Sequence, residues 1–211
     1  MLGKRTFLLA GMAMIVTACS KPAAKPAPKP AAPPAPPPPE TVMVSLMTSE
    51  GEIVLELAAK KAPITTANFL HYIDTGKLDG GHFWRALKVG KTDGFIQAAI
   101  TTPPYPPIAH ESTKQTGLSH TDGTISMSRY APGTATIDFT ISVGDMTYLD
   151  AGGSGSSDGE GYAAFGHVVS GMDVVRRILH GRTDRKRDED GLEDQMLAKP
   201  VTIVSAKRLA D

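Results

Sequence analysis

The chain has 211 residues, 41% of them apolar, with 22 basic and 22 acidic side chains. That length and apolar content support one medium-sized domain with a real core, plus something extra at the N-terminus. The balanced charge offers no basic excess for a nucleic-acid surface, so no nucleic-acid partner is expected.

Lys4 and Arg5 precede an apolar run, Phe7 to Val16, that ends in Val16-Thr17-Ala18-Cys19. A charged start, a short apolar stretch and small residues before a cut make a secretory signal over residues 1–18. At roughly ten residues the stretch is too short to span a bilayer. Removing it takes Lys4 and Arg5 from the 22 basic residues and none of the 22 acidic ones, a mature net charge of −2. The V-T-A-C ending resembles a bacterial lipobox, which implies that Cys19 becomes the lipidated first residue of the mature chain. An ordinary signal with an incidental cysteine is the other reading. Cys19 is the single cysteine, so no disulfide can form within one chain. By the same resemblance, Ser20 after the cysteine implies the outer membrane.

Residues 19–40 hold ten of the 17 prolines, mostly among Ala and Lys. Such a segment buries no core and samples polyproline II. At ~3.1 Å per residue its twenty residues from Lys21 to Glu40 make a tether of roughly 60 Å. Residues 41–211 are expected to form the folded domain.

Val42 to Thr48 and Glu52 to Leu57, joined by Ser49-Glu50-Gly51, predict a hairpin, with Ile53, Leu55 and Leu57 on one face. Thr65 to Asp74 predicts a helix after Pro63, with Phe69, Leu70 and Ile73 at helical spacing. His82 to Val89 and Phe95 to Ile100 flank the polar turn Gly90-Lys91-Thr92-Asp93-Gly94 and predict a second hairpin. Arg85 sits among apolar neighbours on its first strand and Gln97 at the centre of its second. That pattern fits a polar site in an apolar cleft, and it fits equally well two side chains facing water. Thr102 to Gln115 is proline-rich and reads as an irregular loop. His110, Glu111, His120 and Asp122 show no recurring ligand-pair spacing, so no metal site is expected.

Thr124 to Arg129 and Ile137 to Val143 predict strands; in the second, Asp138 and Thr140 alternate with Ile137, Phe139 and Ile141. Gly152 to Gly161 lacks the Gly-Lys-Ser/Thr ending of a phosphate loop and reads as a mobile rim. Tyr162 to Val169 predicts a strand. Ser170 to His180 predicts a helix with Val174, Val175, Ile178 and Leu179 as its buried stripe. Arg182 to Asp194 reads as a charged surface loop, and Pro200 to Leu209 as a closing strand.

Phe83-Trp84-Arg85 followed by Phe95-Ile96-Gln97 resembles the F-H-R-V … F-M-I-Q core of the cyclophilins. Thr124-Ile125-Ser126-Met127-Ser128-Arg129 resembles that family's G-T-[IL]-[AS]-M-A run. Tyr148-Leu149-Asp150 and Ala164-Phe165-Gly166-His167-Val168-Val169-Ser170-Gly171-Met172-Asp173-Val174-Val175 resemble its W/F-L-D … V-F-G-K-V-V-x-G-M-D-V-V segment. The resemblance runs in order from Val42 to Leu209. It implies a mostly β fold: a closed eight-stranded antiparallel β-barrel capped by two α-helices, with its groove on the outside. It also implies cis/trans isomerisation of Xaa-Pro bonds, here in exported proteins of the periplasm-facing envelope, by a monomer without metal, nucleotide or cofactor. Arg85 would be the catalytic donor and Gln97 would bond the substrate backbone. Phe83, Phe95, Met127, Ser128, Asp138, Thr140, Tyr148, Leu149 and Tyr162 would complete the substrate site.

The chain departs from the family pattern at that site. Trp84 replaces a histidine, Ala98-Ala99 a glycine pair, and Ser128 an alanine. Eleven residues separate Arg85 from Gln97 where the family has about seven, which leaves the placement of Phe95 open. Asp138 replaces a glutamine, and Thr140 replaces the aromatic floor of the proline pocket. Loss of that ring removes apolar contact on the order of 1–2 kcal/mol, and Asp138 could pair with Arg85. Attenuated catalysis is expected, with a proline-segment binding module or chaperone on the same groove as the alternative.

Overall fold

The computed structural model describes residues 39–186 and 191–210. The expected signal, Cys19 and nearly all of the tether lie outside them. In chain order the elements are β1 (Val42–Thr48), β2 (Gly51–Leu57), α1 (Pro63–Asp74), β3 (His82–Val89), β4 (Asp93–Ala99), α2 (Thr113–Thr116), β5 (Thr124–Met127), β6 (Phe139–Val143), β7 (Ala163–Ser170), α3 (Met172–Leu179) and β8 (Met196–Arg208). The strands close into an antiparallel barrel in the order β1-β2-β7-β5-β6-β4-β3-β8. This is the architecture the sequence implied, with the short helix α2 added inside the stretch read as irregular loop.

Alternation builds the barrel. Ile53, Leu55, Phe83, Ile96, Ile125, Phe139, Ile141 and Phe165 are all completely buried and fill the interior from successive strands. From α1, Phe69 meets the Phe139 ring edge-on at 5.2 Å and Phe165 at 5.3 Å. In α3, Val174, Val175, Ile178 and Leu179 are buried and pack against β2, β3, β4 and β6.

The N-terminus of α1 has no cap from its own flank. Glu111, 2% exposed, reaches it from the proline-rich loop instead, accepting bonds from the Ile64 and Thr65 backbone N–H groups and the Thr65 hydroxyl. A carboxylate there satisfies the free N–H groups of the first turn and complements the helix dipole. The long β3–β4 hairpin closes on Gly94, where a Cβ would lie 2.0 Å from the Leu87 carbonyl oxygen.

Several strand limits differ from the sequence reading: β4 opens at Asp93 within the expected turn, β5 ends at Met127 rather than Arg129, and β7 is shifted by one residue to Ala163–Ser170. Ile137 and Asp138 precede β6 rather than opening it. β8 begins at Met196 and runs through Pro200, which sits where the pairing with β3 is interrupted, a position where a residue without an N–H is tolerated.

Candidate functional site

A groove of about 560 Å³ crosses the outside of the four adjacent strands β3, β4, β6 and β5. Its position follows from a bulge. Phe83 pairs with Ala98 and Arg85 with Gln97, so Trp84 is an extra residue in β3. Such a bulge turns successive side chains toward the same side, and both Trp84 and Arg85 line the groove while Phe83 points into the barrel.

Arg85 is the most heavily bonded side chain of the groove's β3 wall. Its Nη1 donates to Gln97 Oε1 at 2.9 Å; its Nε and Nη2 donate to Gln195 Oε1 at 2.9 and 2.6 Å. The guanidinium carbon lies 5.1 Å from the centroid of the Phe95 ring, a distance for cation–π attraction. Burial lowers the guanidinium pKa, and Tyr162 and Tyr148 partly offset it; an arginine keeps its charge through such a shift.

The longer hairpin leaves Phe95 on the groove side, packed with Leu149, Met146, Leu87, Tyr148 and Tyr162. These make an apolar wall beside Arg85. The floor is polar: Ser126 Oγ and Thr140 Oγ1 are 3.1 Å apart and both buried. Asp138 does not pair with Arg85. Its carboxylate accepts from Gln97 Nε2 at 3.4 Å. Burial raises the Asp138 pKa, opposed by the hydrogen bonds of Gln97 and Trp84.

Of the residues expected at the site, Arg85, Phe95, Gln97, Ser128, Asp138, Thr140, Tyr148, Leu149 and Tyr162 all line this groove. Phe83 and Met127 do not. Phe83 is completely buried and packs on Phe139; Met127 is 1% exposed within the core. Strand alternation puts both inside, since their neighbours Trp84 and Ser128 face out.

Gln97 also braces the site: its carbonyl oxygen accepts from Arg85 and its amide donates to Asp138 at 3.4 Å.

Two contributors were not among the residues expected at the site. Gln195 accepts from Arg85 just after the charged loop, directly before β8. Arg129 binds Asp158 at 2.7 Å and 2.9 Å, donates to the Gly161 carbonyl, and lies 5.3 Å from the Tyr162 ring centroid. The loop expected to be a mobile rim is thereby tied down, with further bonds from Gly152 N to Gly159 O and from Gly155 N to Tyr148 O. Outside the groove, Glu111 caps α1, His120 bonds Asp150 and Asp122 binds Arg176.

Residues 43–208 match the family model of the cyclophilin type peptidyl-prolyl cis-trans isomerase/CLD. The chain is 38% identical over 173 residues to peptidyl-prolyl cis-trans isomerase cyp18 of Streptomyces antibioticus, covering 79% of this chain and 98% of that one. It is 35% identical over 167 residues to peptidyl-prolyl cis-trans isomerase A of Dickeya dadantii, covering 78% and 83%. It is 34% identical over 165 residues to peptidyl-prolyl cis-trans isomerase B of Escherichia coli, covering 76% and 99%. A crystal structure of a Cryptosporidium parvum cyclophilin type isomerase in the presence of the dipeptide Ala-Pro superposes with a TM-score of 0.64, at 17% identity over 80% of this chain and 99% of that one. The chain belongs to the cyclophilin-type peptidyl-prolyl cis-trans isomerase family, and the family and its bacterial relatives support isomerase activity.

Proposed function

We propose that the chain isomerises Xaa-Pro bonds of exported proteins at the cell envelope, with Arg85 as the charged donor and with attenuated turnover. The observation that carries the reading is the bonding of Arg85. A guanidinium has five N–H donors; three are held by Gln97 and Gln195, which leaves two without a partner among the described residues, in a groove with an apolar wall.

The chemistry needs no covalent step. Amide resonance sets a barrier of ~18–20 kcal/mol to rotation, and twisting the C–N bond localises the lone pair on the prolyl nitrogen. An N–H aimed at that nitrogen stabilises the twisted form more than the planar one, which lowers the barrier. Phe95, Leu149 and Tyr162 would hold the proline ring, and Gln97 would keep Arg85 directed at the bond.

A second reading has its own support. The Ser126–Thr140 floor and the half-buried Asp138 carboxyl make the ring site more polar than a proline prefers, which suits a weak catalyst that binds extended proline-containing segments. A coupled turnover assay on a Xaa-Pro peptide separates the two. Arg85→Ala is expected to lower kcat/KM by about tenfold to a thousandfold, or ~1.4–4 kcal/mol, with peptide affinity nearly unchanged. Equal turnover in wild type and variant would leave the binding reading in front.

The envelope location rests on the signal, the V-T-A-C ending and the proline-rich tether. Cys19→Ser should shift the protein from the membrane fraction to the soluble one; unchanged fractionation would remove the lipid anchor.

A further inference from the structure

Gln195 stands 110 residues from Arg85 in sequence, in a stretch no motif marks, and the barrel delivers it to the guanidinium by a second irregularity. β8 pairs Thr202 with His82 and Val201 with Phe83, then Met196 with Arg85. The residues looped out between Met196 and Val201 bring Gln195 alongside the bulge of β3. There the Ala86 N–H donates to the Gln195 carbonyl at 2.9 Å, and the side-chain Oε1 receives Nε and Nη2 of Arg85.

The edge formed by Nε and one Nη is the one a carboxylate takes in a forked pair. Acidic residues surround the position: Glu193 and Asp194 directly precede it in sequence, the Asp184 N–H donates to the carbonyl of the next residue, Met196, and Asp138 lines the same groove. The group seated on that edge is nonetheless a neutral amide. A carboxylate there would cancel much of the charge that the twisted amide is to feel; a carbonyl orients the guanidinium and leaves its charge in place.

We propose that Gln195 is a positioning residue for Arg85, a neutral clamp that fixes the guanidinium with two N–H bonds toward the groove without compensating its charge. The catalytic consequence rests on the isomerase reading above; the clamp itself does not.

The test uses the chain with Gln195→Leu, Gln195→Glu and each of these combined with Arg85→Ala. Two readouts are taken: hydrogen exchange of the Arg85 Nε–H by nitrogen-15 NMR, assigned by its loss in Arg85→Ala, and kcat and KM across pH. Gln195→Leu should speed that exchange by at least about tenfold. It should lower kcat by about tenfold with KM little changed, and add no loss on the Arg85→Ala background. Gln195→Glu should be slow at neutral pH and recover as the new carboxylate protonates, a step missing from the wild-type profile. Exchange unchanged in Gln195→Leu overturns the clamp. So does an equal loss of kcat with and without Arg85, or a Gln195→Glu profile parallel to wild type. A wild type without turnover whose Nε–H is released by Gln195→Leu loses the isomerase reading and keeps the clamp.

Discussion

Phe139 and Thr140 are neighbours in β6 and belong to different parts of the molecule. Phe139 points inward, completely buried between the Phe69 and Phe83 rings. Thr140 points outward into the groove, where its side chain bonds the Ser126 hydroxyl. The same contrast holds in β4, with Ile96 and Ala98 inside and Phe95 and Gln97 outside. The inner face is fixed by packing alone, since any apolar side chain of the right volume serves it. The outer face is fixed by chemistry, and each residue there depends on its partners across several strands. One strand thus carries stability on one side and specificity on the other, with period two separating them.

The contrast predicts that damage to the two faces is read by different experiments. Phe139→Ala removes one of the two rings that Phe69 of α1 packs on and should cost about 3–5 kcal/mol of stability, seen as a lowered denaturant midpoint. At a temperature where the variant remains folded, its peptide affinity should stay close to wild type. A Phe139→Ala protein with an unchanged midpoint would break the division of labour between the faces.

The inner face was legible because it follows simple alternation and needs no partner to be named. Ile53, Leu55, Leu57, Phe69 and the α3 stripe are buried as their spacing predicts. The outer face was legible only in part. Arg85 and Gln97 stand out as polar residues among apolar ones, and the resemblance points at them. What alternation cannot foresee is where it breaks. Phe83 and Met127 were expected at the groove because they lie inside the resembling motifs, yet the pleat turns them inward. The bulge at Trp84 and the excursion of β8 that brings in Gln195 leave no local pattern, since each is a property of two strands meeting. Arg129 and Asp158 form their pair across 29 residues, beyond the reach of any periodicity, and Glu111 looks in sequence like any loop carboxylate although it caps a helix.

The outer face can be sharpened by restoring what the groove lacks. Asp138→Gln with Thr140→Phe should give the proline ring an aromatic floor and remove the half-buried carboxyl, a gain on the order of 1–2 kcal/mol in kcat/KM, with stability changed less than by Phe139→Ala. The new ring replaces the Ser126–Thr140 hydrogen bond, so adding Ser126→Ala should leave the gain intact by removing the orphaned hydroxyl. Measured against wild type and Arg85→Ala in one turnover assay, the double variant locates the attenuation. No gain in the double variant would mean that the floor does not limit turnover.

The smallest effect comes from a residue that fits neither face. His120 is completely buried, its Nδ1 is 2.5 Å from Asp150 Oδ1, and its Nε2 is buried without a hydrogen-bond partner among the described residues. Asp150 also accepts from the His120 backbone N–H and the Ser119 hydroxyl, and it directly follows Tyr148 and Leu149 of the groove wall. Burial lowers the His120 pKa, and the hydrogen bond and charge of Asp150 only partly restore it. A folded pKa depressed below the ordinary 6.5 means that the unfolded chain takes up the proton first as pH falls. The contribution to stability is therefore fully present above that value and is lost as pH falls from it toward the folded pKa. The physical cause is plain in the geometry: a protonated ring would carry an Nε2–H with no acceptor among the described residues. His120→Asn keeps a donor near Asp150 and removes the titrating ring. Denaturant midpoints taken between about pH 7 and pH 5.5, the window in which histidine titrates, should fall more steeply for wild type than for His120→Asn. Parallel slopes in the two proteins would show that protonation of His120 does not control the Asp150 corner of the groove wall.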